Sequence, residues 1–184
     1  MPDQFNESLG SALVPLHQIN HREAKVAGLT VESADETRSL MKARMEKVKT
    51  KFGVSRQLWE RWQAWAEDDS YWPQKTGLIH GDLHAGHILI DANKRVTGFI
   101  DWTEASVSDT AGDFVAHYRT FGEDALEKLI RYYEKAGGYV WPKMARHVIE
   151  LAAAYPIAIA EFALKSGIEE YHQMARQALG VCDK

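Results

Sequence analysis

Apolar residues near the start of the chain recur at the spacing of an α-helix. Leu9, Leu13 and Leu16 fall on the same helical face as Phe5. Pro15 interrupts this pattern, and a proline ring is tolerated in a helix only at a bend or in a terminal turn. We therefore predict a first helix that bends or ends near Pro15.

The next segment, 17–31, has no hydrophobic period and is predicted to be an irregular connection. Ser33 followed by Glu36 is the pattern of a capping box, in which two side chains satisfy free N–H groups at a helix start. The helix is predicted to run to about Phe52, with Gly53 as its stop.

A further helix is expected to begin at Ser55, whose hydroxyl suits the N-cap position. Trp59, Trp62 and Trp65 lie close to helical spacing within it. We expect this tryptophan stripe to pack in the core rather than to serve as a ligand platform.

The middle of the chain changes to short β-favouring runs, and the rest returns to a helical pattern. The predicted strands are 78–79, 88–90 and 96–100, with a turn at 91–95. The predicted C-terminal helices are 111–120, 123–136, 142–165 (bent at Pro156) and 168–179. The sequence thus predicts an α+β, mainly helical fold, 1–184, with a small β-hairpin region in its middle.

Composition and charge exclude several classes of function. The 184 residues are 45% apolar and 26% charged, an ordinary globular composition. A net charge of −4 argues against a nucleic-acid partner held through phosphate contacts. The only cysteine, Cys182, cannot form an internal disulfide, which is compatible with the reducing cytoplasm that we expect for this protein.

The most apolar stretch of the chain, Val148 to Leu164, is the segment to consider as a possible membrane-spanning helix. It is interrupted by Glu150, Pro156 and Glu161, which a membrane-spanning helix tolerates badly. We expect a helix of the core and no membrane partner.

The densest polar cluster is the run 80–87, which lies between two predicted strands and reads His-Gly-Asp-Leu-His-Ala-Gly-His. A second aspartate, Asp101, ends the run Phe-Ile-Asp-Trp after the next turn. Phosphoryl transfer to a hydroxyl needs a carboxylate that orients the hydroxyl and further ligands for Mg²⁺. Asp82, Asp101 and a ligand on the loop supply that set.

A transition-metal hydrolase is the alternative reading of the same cluster, because His80, His84 and His87 accompany Asp82. That reading needs additional ligands. The downstream histidines stand alone on predicted helices: His117, His147 and His172.

The two motifs together resemble the catalytic segment of kinase-like antibiotic phosphotransferases. The resemblance rests on His-Gly-Asp-Leu-His-x-Gly-His-Ile-Leu-Ile-Asp at 80–91 and on Asp-Trp-Thr-Glu-Ala from Asp101. Most of that superfamily has asparagine at the position of His87. The histidine, with Ser108-Asp109 leading to Asp113-Phe114, is similar to the macrolide 2′-phosphotransferases.

This resemblance implies a role for each matching position. Asp82 would be the catalytic carboxylate, and His87 and Asp101 would be ligands of Mg²⁺. His80 and Asp113 would support the loop, while no role is implied for His84.

The resemblance also implies GTP or ATP as donor and a macrolide as the small-molecule substrate. Glu104 and Asp109 are candidates for contacting a cationic substrate group. Aromatic residues of the C-terminal helices are candidates for an apolar substrate wall, although core packing is the expectation for each one alone: Tyr132, Tyr133, Trp141, Tyr155 and Phe162. An aminoglycoside-like alcohol is the alternative substrate, and a non-catalytic ligand-binding module is the alternative function.

A complete kinase also needs a glycine-rich loop and a strand-borne lysine around the nucleotide. None of the 13 glycines forms Gly-x-Gly-x-x-Gly or Gly-x-x-x-x-Gly-Lys. We therefore expect the chain to correspond to the C-terminal lobe of such a kinase, with the N-terminal nucleotide-binding lobe absent and little activity by itself.

Overall fold

The computed structural model describes residues 3–181, so Cys182 lies outside the described residues. Within that range the chain forms nine α-helices, three short 3₁₀ turns and four short strands. The helices are α1 (Asp3–His17), α2 (His21–Val26), α3 (Ala34–Phe52), α4 (Arg56–Glu67), α5 (Val115–Phe121), α6 (Glu123–Lys135), α7 (Met144–Ala153), α8 (Tyr155–Ser166) and α9 (Glu169–Ala178). The strands are β1 (Gly77–Ile79), β2 (Ile88–Ile90), β3 (Val96–Phe99) and β4 (Ser106–Ser108). The predicted mainly helical α+β class is confirmed.

The predicted helix boundaries follow from local capping chemistry. The Ser33 hydroxyl accepts a hydrogen bond from the Glu36 N–H, and the Glu36 carboxylate accepts one from the Ser33 N–H, so the capping box is confirmed. These bonds from Ser33 lower the pKa of the Glu36 carboxyl. Gly53 ends α3 at a φ of 77°, a left-handed backbone conformation that glycine adopts without strain.

Two elements depart from the sequence-based expectations. The segment predicted to be irregular contains α2, which begins because the Asn20 side chain accepts a hydrogen bond from the Arg22 N–H. The strand β4 was not predicted at all, since three residues of Ser-Val-Ser carry no pattern of their own. It forms because β1 pairs with it in antiparallel register, with Leu78 opposite Val107.

The four strands make two separate two-stranded sheets, β1–β4 and β2–β3. The two strands that flank the polar loop 80–87 therefore belong to different sheets.

The core has two parts. One packs α1 against α5, α6 and α7, and its fully buried members include Leu9, Leu13, Phe114, Leu126 and Val148. The other packs α3, α4, α8 and α9, and includes Met45, Trp62, Trp65, Ile157 and Leu179. Trp62 and Trp65 are buried, which confirms core packing for these two tryptophans, and Trp59 is half-buried beneath the Lys49 ammonium.

A buried polar pair lies close to the boundary of the two cores. The Nε2–H of His147 donates to Asp109, and the Trp65 indole N–H donates to His147 Nδ1 at 3.0 Å. His147 is fully buried and Asp109 is 5% exposed. Because Nδ1 accepts and Nε2 donates, the hydrogen bonds fix a neutral imidazole beside the carboxylate.

The stretch Met144–Ser166 is apolar and long enough to cross a membrane by length and hydropathy, a test that core helices of globular proteins also pass. Here it is divided between α7 and α8 at Ala154, and Pro156 lies in the first turn of α8. Val148, Ile157 and Ala160 from this stretch are buried in the two core clusters.

Candidate active site

The loop 80–87 is anchored to the body of the protein by Asp113. This buried carboxylate accepts a hydrogen bond from the His80 N–H at 2.9 Å and from the Gly81 N–H at 3.1 Å. Gly81 has a φ of 84°, and a Cβ there would lie 2.2 Å from the carbonyl oxygen of Glu104. Only glycine is compatible with both the left-handed backbone and this close approach.

Asp113 is itself held by a chain of buried polar groups. His17 Nε2 lies 3.1 Å from Asp113 Oδ2, and His17 Nδ1 lies 2.8 Å from the Tyr133 hydroxyl. Burial raises the pKa of Tyr133 to about 12, so the hydroxyl stays protonated while it is hydrogen-bonded to His17 Nδ1. This chain ties α1 and α6 to the loop, and sequence reasoning missed it because His17 is 96 positions from Asp113.

His80 braces the backbone of the loop from inside. Its Nε2–H donates to the carbonyl of Ile100 at 2.8 Å, and its Nδ1 accepts the Asp82 N–H at 3.3 Å. The ring is fully buried. His80 therefore links the start of the loop to the residue before Asp101.

His87 lies between the two aspartates. Its Nδ1–H donates to the backbone carbonyl of Asp82 at 2.8 Å. The lone pair of the neutral ring is therefore on Nε2, which lies 3.7 Å from Oδ2 of Asp101. The other ring nitrogen, Nδ1, lies 3.7 Å from Oδ2 of Asp82. The structure therefore brings the predicted catalytic residue and the two predicted metal ligands together.

Asp101 is held in an unusual backbone conformation. Its φ is 63°, a left-handed value that costs a non-glycine residue roughly 1–3 kcal/mol. The Thr103 hydroxyl donates to Oδ1 at 2.6 Å, and this bond, with one from the Thr103 backbone, lowers the pKa of the Asp101 carboxyl. The other oxygen of the ionised carboxylate, Oδ2, faces His87.

The nitrogen and oxygen atoms at the loop distinguish two possible cation sites. Asp82, His84 and His87 have ligand atoms within 4.8 Å of one another. However, His84 Nδ1 accepts the Gly86 N–H at 3.1 Å, so its proton is on the Nε2 atom that faces the other ligands. A transition metal at this trio would have to break that hydrogen bond.

Asp101 and His87, by contrast, offer one free carboxylate oxygen and one free imidazole nitrogen. The carboxylate suits Mg²⁺, and the nitrogen is a softer ligand than Mg²⁺ usually takes. The donor set therefore fits a divalent cation bound mainly through Asp101, with His87 beside it.

A cleft of about 260 Å³ lined in part by Asp82 opens between the loop and helices α3, α5, α7 and α8. Its walls are mostly apolar, and Met41, Leu151 and Tyr155 are among its lining residues. The charged residues that line it are Asp82, Arg44 and Arg119. Arg44 is paired with Glu161, and the Arg119 guanidinium lies over the Tyr155 ring at 4.0 Å.

The remaining predicted substrate residues are distributed differently. Tyr155 is 45% exposed and lines the cleft, whereas Phe162 is 54% exposed, packs on Tyr171 and does not line it. The structure corrects the expectation that Asp109 contacts a substrate. Its carboxylate is buried and accepts hydrogen bonds from the His147 ring and the Ala111 N–H, so it supports the fold and is not available to a substrate.

The other predicted positions are also accounted for. Glu104 is exposed on the turn whose carbonyl covers Gly81, and it does not line the cleft. Tyr133 and Trp141 are buried in the core, as expected for packing residues. Tyr132 does not line the cleft.

Comparison with known proteins identifies relatives along most of the chain. The model of the phosphotransferase enzyme family matches residues 2–147. An uncharacterized protein of Bacillus subtilis, YcbJ, is 49% identical over 179 residues, which are 97% of this chain and 58% of that protein.

Two solved structures are similar over the whole chain. A macrolide 2′-phosphotransferase type I superposes with a TM-score of 0.92 at 41% identity, covering 100% of this chain and 62% of that one. The apoenzyme of a macrolide 2′-phosphotransferase from Brachybacterium faecium gives a TM-score of 0.92 at 32% identity, covering 100% and 61%. The chain thus spans about 60% of the length of the relatives that it matches.

Proposed function

The chain belongs to the phosphotransferase enzyme family, and from this premise we propose that it is the catalytic and acceptor-binding part of a macrolide kinase. It would transfer the γ-phosphoryl group of GTP or ATP to a hydroxyl of the macrolide, the 2′-hydroxyl by likeness to its structural relatives. We further propose that it acts in the cytoplasm, together with a nucleotide-binding lobe in the same polypeptide.

One observation carries this proposal: Asp82 both lines the cleft and lies beside the His87–Asp101 pair. Its Oδ2 is 3.7 Å from His87 Nδ1, and His87 Nε2 is 3.7 Å from Asp101 Oδ2. Phosphoryl transfer needs these groups close together, because the acceptor hydroxyl must contact both a proton-accepting carboxylate and the phosphates.

The residues of the chain divide the chemistry between them. Asp82 orients the acceptor hydroxyl and accepts its proton as the bond to phosphorus forms. Asp101 and His87 would hold a divalent cation, which when bound neutralises charge on the nucleotide phosphates. Asp113 and His80 keep the loop backbone fixed, so that these side chains are already in place before the acceptor binds.

The cleft favours a macrolide over a polycationic aminoglycoside as acceptor. Asp82 is the only carboxylate among its lining residues, while Arg44 and Arg119 are both at its walls. The Arg119 guanidinium opposes a ligand with several ammonium groups, since like charges repel in a partly desolvated site, whereas the charge of Arg44 is balanced by Glu161. An apolar wall that includes Leu151 and Tyr155 suits a large ligand with few charges.

The test is a transfer assay on the chain joined to the N-terminal part of a macrolide 2′-phosphotransferase. Erythromycin and kanamycin are each incubated with GTP or ATP and Mg²⁺, and phosphorylated product is detected by mass spectrometry. We expect phosphorylated erythromycin from the parent fusion and none from its Asp82→Asn control. Transfer to kanamycin alone would favour an aminoglycoside-like kinase, and macrolide binding without transfer would favour a binding module.

A further inference from the structure

Histidines surround Asp82 on three sides. His80 Nδ1 accepts the Asp82 N–H at 3.3 Å, and the His87 Nδ1–H donates to the Asp82 carbonyl at 2.8 Å. These two rings hold the backbone of the residue. The third ring, His84, makes no hydrogen bond to that backbone but faces the side chain: its Nε2 lies 3.8 Å from Asp82 Oδ2, the oxygen that is also 3.7 Å from His87 Nδ1.

The tautomer of His84 follows from its other nitrogen. Nδ1 accepts the Gly86 N–H at 3.1 Å, which caps the 3₁₀ turn at Ala85–His87. In a neutral ring the proton must then be on Nε2, the atom that faces Asp82. His84 therefore presents a donor to the carboxylate, and not a lone pair.

The position of the His84 ring is determined by its surroundings. It packs on the His87 ring with 3.9 Å between the ring centroids. Gly86 leaves the space that the ring needs, because a Cβ at position 86 would lie 2.9 Å from His84 Cε1. A capping hydrogen bond, a ring contact and a glycine thus hold the Nε2–H in front of Asp82, although the His84 side chain is 48% exposed.

We propose that His84 is a positioning residue for the catalytic carboxylate. Its Nε2–H donates to one oxygen of Asp82, and this fixes the rotamer that directs the other oxygen toward the acceptor hydroxyl in the cleft. The 3.8 Å separation exceeds a normal hydrogen bond by about 0.8 Å, so the proposed bond forms when the half-exposed Asp82 side chain turns toward the ring. Such contacts commonly tighten when the substrate binds. The inference rests on the proposed role of Asp82 as catalytic base.

Two substitutions separate this role from a purely structural one. In His84→Asn the side-chain oxygen replaces Nδ1 as the acceptor for the Gly86 N–H, but the donor toward Asp82 is lost. In His84→Gln the amide nitrogen takes the place of Nε2 as a donor, but the cap is lost. His84→Ala removes both groups.

We expect His84→Asn and His84→Ala in the fusion enzyme to lower kcat by roughly 10- to 100-fold, with KM for the macrolide unchanged. His84→Gln should recover most of kcat even if its melting temperature falls. The opposite ranking, with Asn at the parental rate and Gln impaired, would show that only the cap matters and would overturn the proposal. If the parent fusion phosphorylates a different alcohol, the same three variants are ranked with that acceptor.

A second measurement uses the 184-residue chain and does not depend on activity. Nitrogen-15 NMR of the imidazole rings identifies which nitrogen of His84 is protonated at neutral pH. We expect the Nε2–H tautomer, with an Nε2 shift that changes in Asp82→Ala and stays the same in Asp91→Ala. A proton on Nδ1, or an Nε2 shift indifferent to Asp82, contradicts the proposal even if the fusion enzyme is inactive.

Discussion

The Nε2 atom of His87 lies 3.7 Å from Oδ2 of Asp101, and each atom offers a free lone pair to the space between them. This arrangement is unstable as a direct contact, since two acceptors do not attract one another. A cation, or a proton on His87, is needed to relieve it. The relation supports Asp101 as the residue on which cation binding depends most.

We therefore predict that Asp101→Ala raises the Mg²⁺ concentration needed for half-maximal transfer by about 10-fold or more in the fusion enzyme. Excess Mg²⁺ should restore part of the rate. Thr103→Val is the matched control, because it removes the hydrogen bond to Oδ1 and keeps the carboxylate. It should shift the Mg²⁺ dependence less than Asp101→Ala does. An unchanged Mg²⁺ titration in Asp101→Ala would mean that the cation is bound elsewhere.

Asp82→Ala should lower kcat by roughly 10²–10⁴-fold, the range for loss of a positioned acid–base group. Macrolide affinity and melting temperature should change little, because the side chain is half-exposed and, without a bound acceptor, its Oδ2 lies 3.7–3.8 Å from the His84 and His87 rings, beyond hydrogen-bond distance. Asp113→Ala is the contrasting variant: it leaves the His80 and Gly81 N–H groups unpaired and should lower the melting temperature clearly. Steady-state kinetics and melting curves on both variants check this. A near-parental turnover by Asp82→Ala would exclude it as the base.

The buried pair of Asp109 and His147 is predicted to stabilise the junction of the two cores. His147→Ala removes one of the two hydrogen bonds that the buried Asp109 carboxylate accepts, and such a loss costs about 1–3 kcal/mol of unfolding free energy, or more for a charged group. Asp69→Ala removes the exposed partner of Arg38 and should cost at most about 1 kcal/mol. Urea denaturation followed by circular dichroism measures both. Equal losses in the two variants would contradict the assignment.

Acid sensitivity is predicted to arise partly from His117. Burial lowers the pKa of this imidazole, and its Nε2 has no hydrogen-bond partner among the described residues. The unfolded chain, with a histidine pKa of about 6.5, then binds the proton more readily than the folded chain. The contribution of His117 to stability is therefore present above about pH 6.5 and is lost as the pH falls toward the lower folded pKa.

His117→Phe keeps an aromatic ring between Phe5 and Phe121 and removes the titrating group. We expect the melting temperature of this variant to fall less than that of the parent between pH 7.5 and about pH 5.5. His172→Phe, at a half-buried position beside Phe52, should follow the parent. A parental pH dependence in His117→Phe would assign the acid sensitivity to other groups.

The 184-residue chain alone is expected to give a helical circular-dichroism spectrum and negligible phosphotransfer. The helices are present, but the chain has neither of the glycine-rich phosphate-binding patterns, and positioning of the phosphates is most of the catalysis in this reaction. Transfer from GTP or ATP to erythromycin by the purified chain, in the presence of Mg²⁺, would contradict the second expectation. A spectrum dominated by strand or coil would contradict the first.

The features that the sequence predicts well are those that depend on neighbouring residues. The capping box of Ser33, the stop at Gly53 and the strand-like runs around the loop all follow from local chemistry. The buried chain from Tyr133 through His17 to Asp113 does not, because its members are 116 and 96 positions apart and each looks like an ordinary core residue.

The burial of Asp109 is another feature that depends on a contact with a residue far away in the sequence. An aspartate on a turn before a helix is most often exposed, and no pattern around it indicates that His147 lies against it in the fold. Its burial depends on the packing of α7, which hydrophobic periodicity locates along the chain and does not place in space.

The contact between Gly81 and the Glu104 carbonyl determines how this protein tolerates mutation. Position 81 performs no chemistry, yet a Cβ there would lie 2.2 Å from a backbone oxygen and the residue has a φ of 84°. In a library of the fusion enzyme containing every substitution along the loop, this position should therefore be as intolerant as Asp82, the proposed catalytic base. Its variants would differ from those of Asp82 in failing to accumulate as folded protein, so abundance and transfer-activity scores of the fusion enzyme together would distinguish a residue that shapes the site from one proposed to react in it.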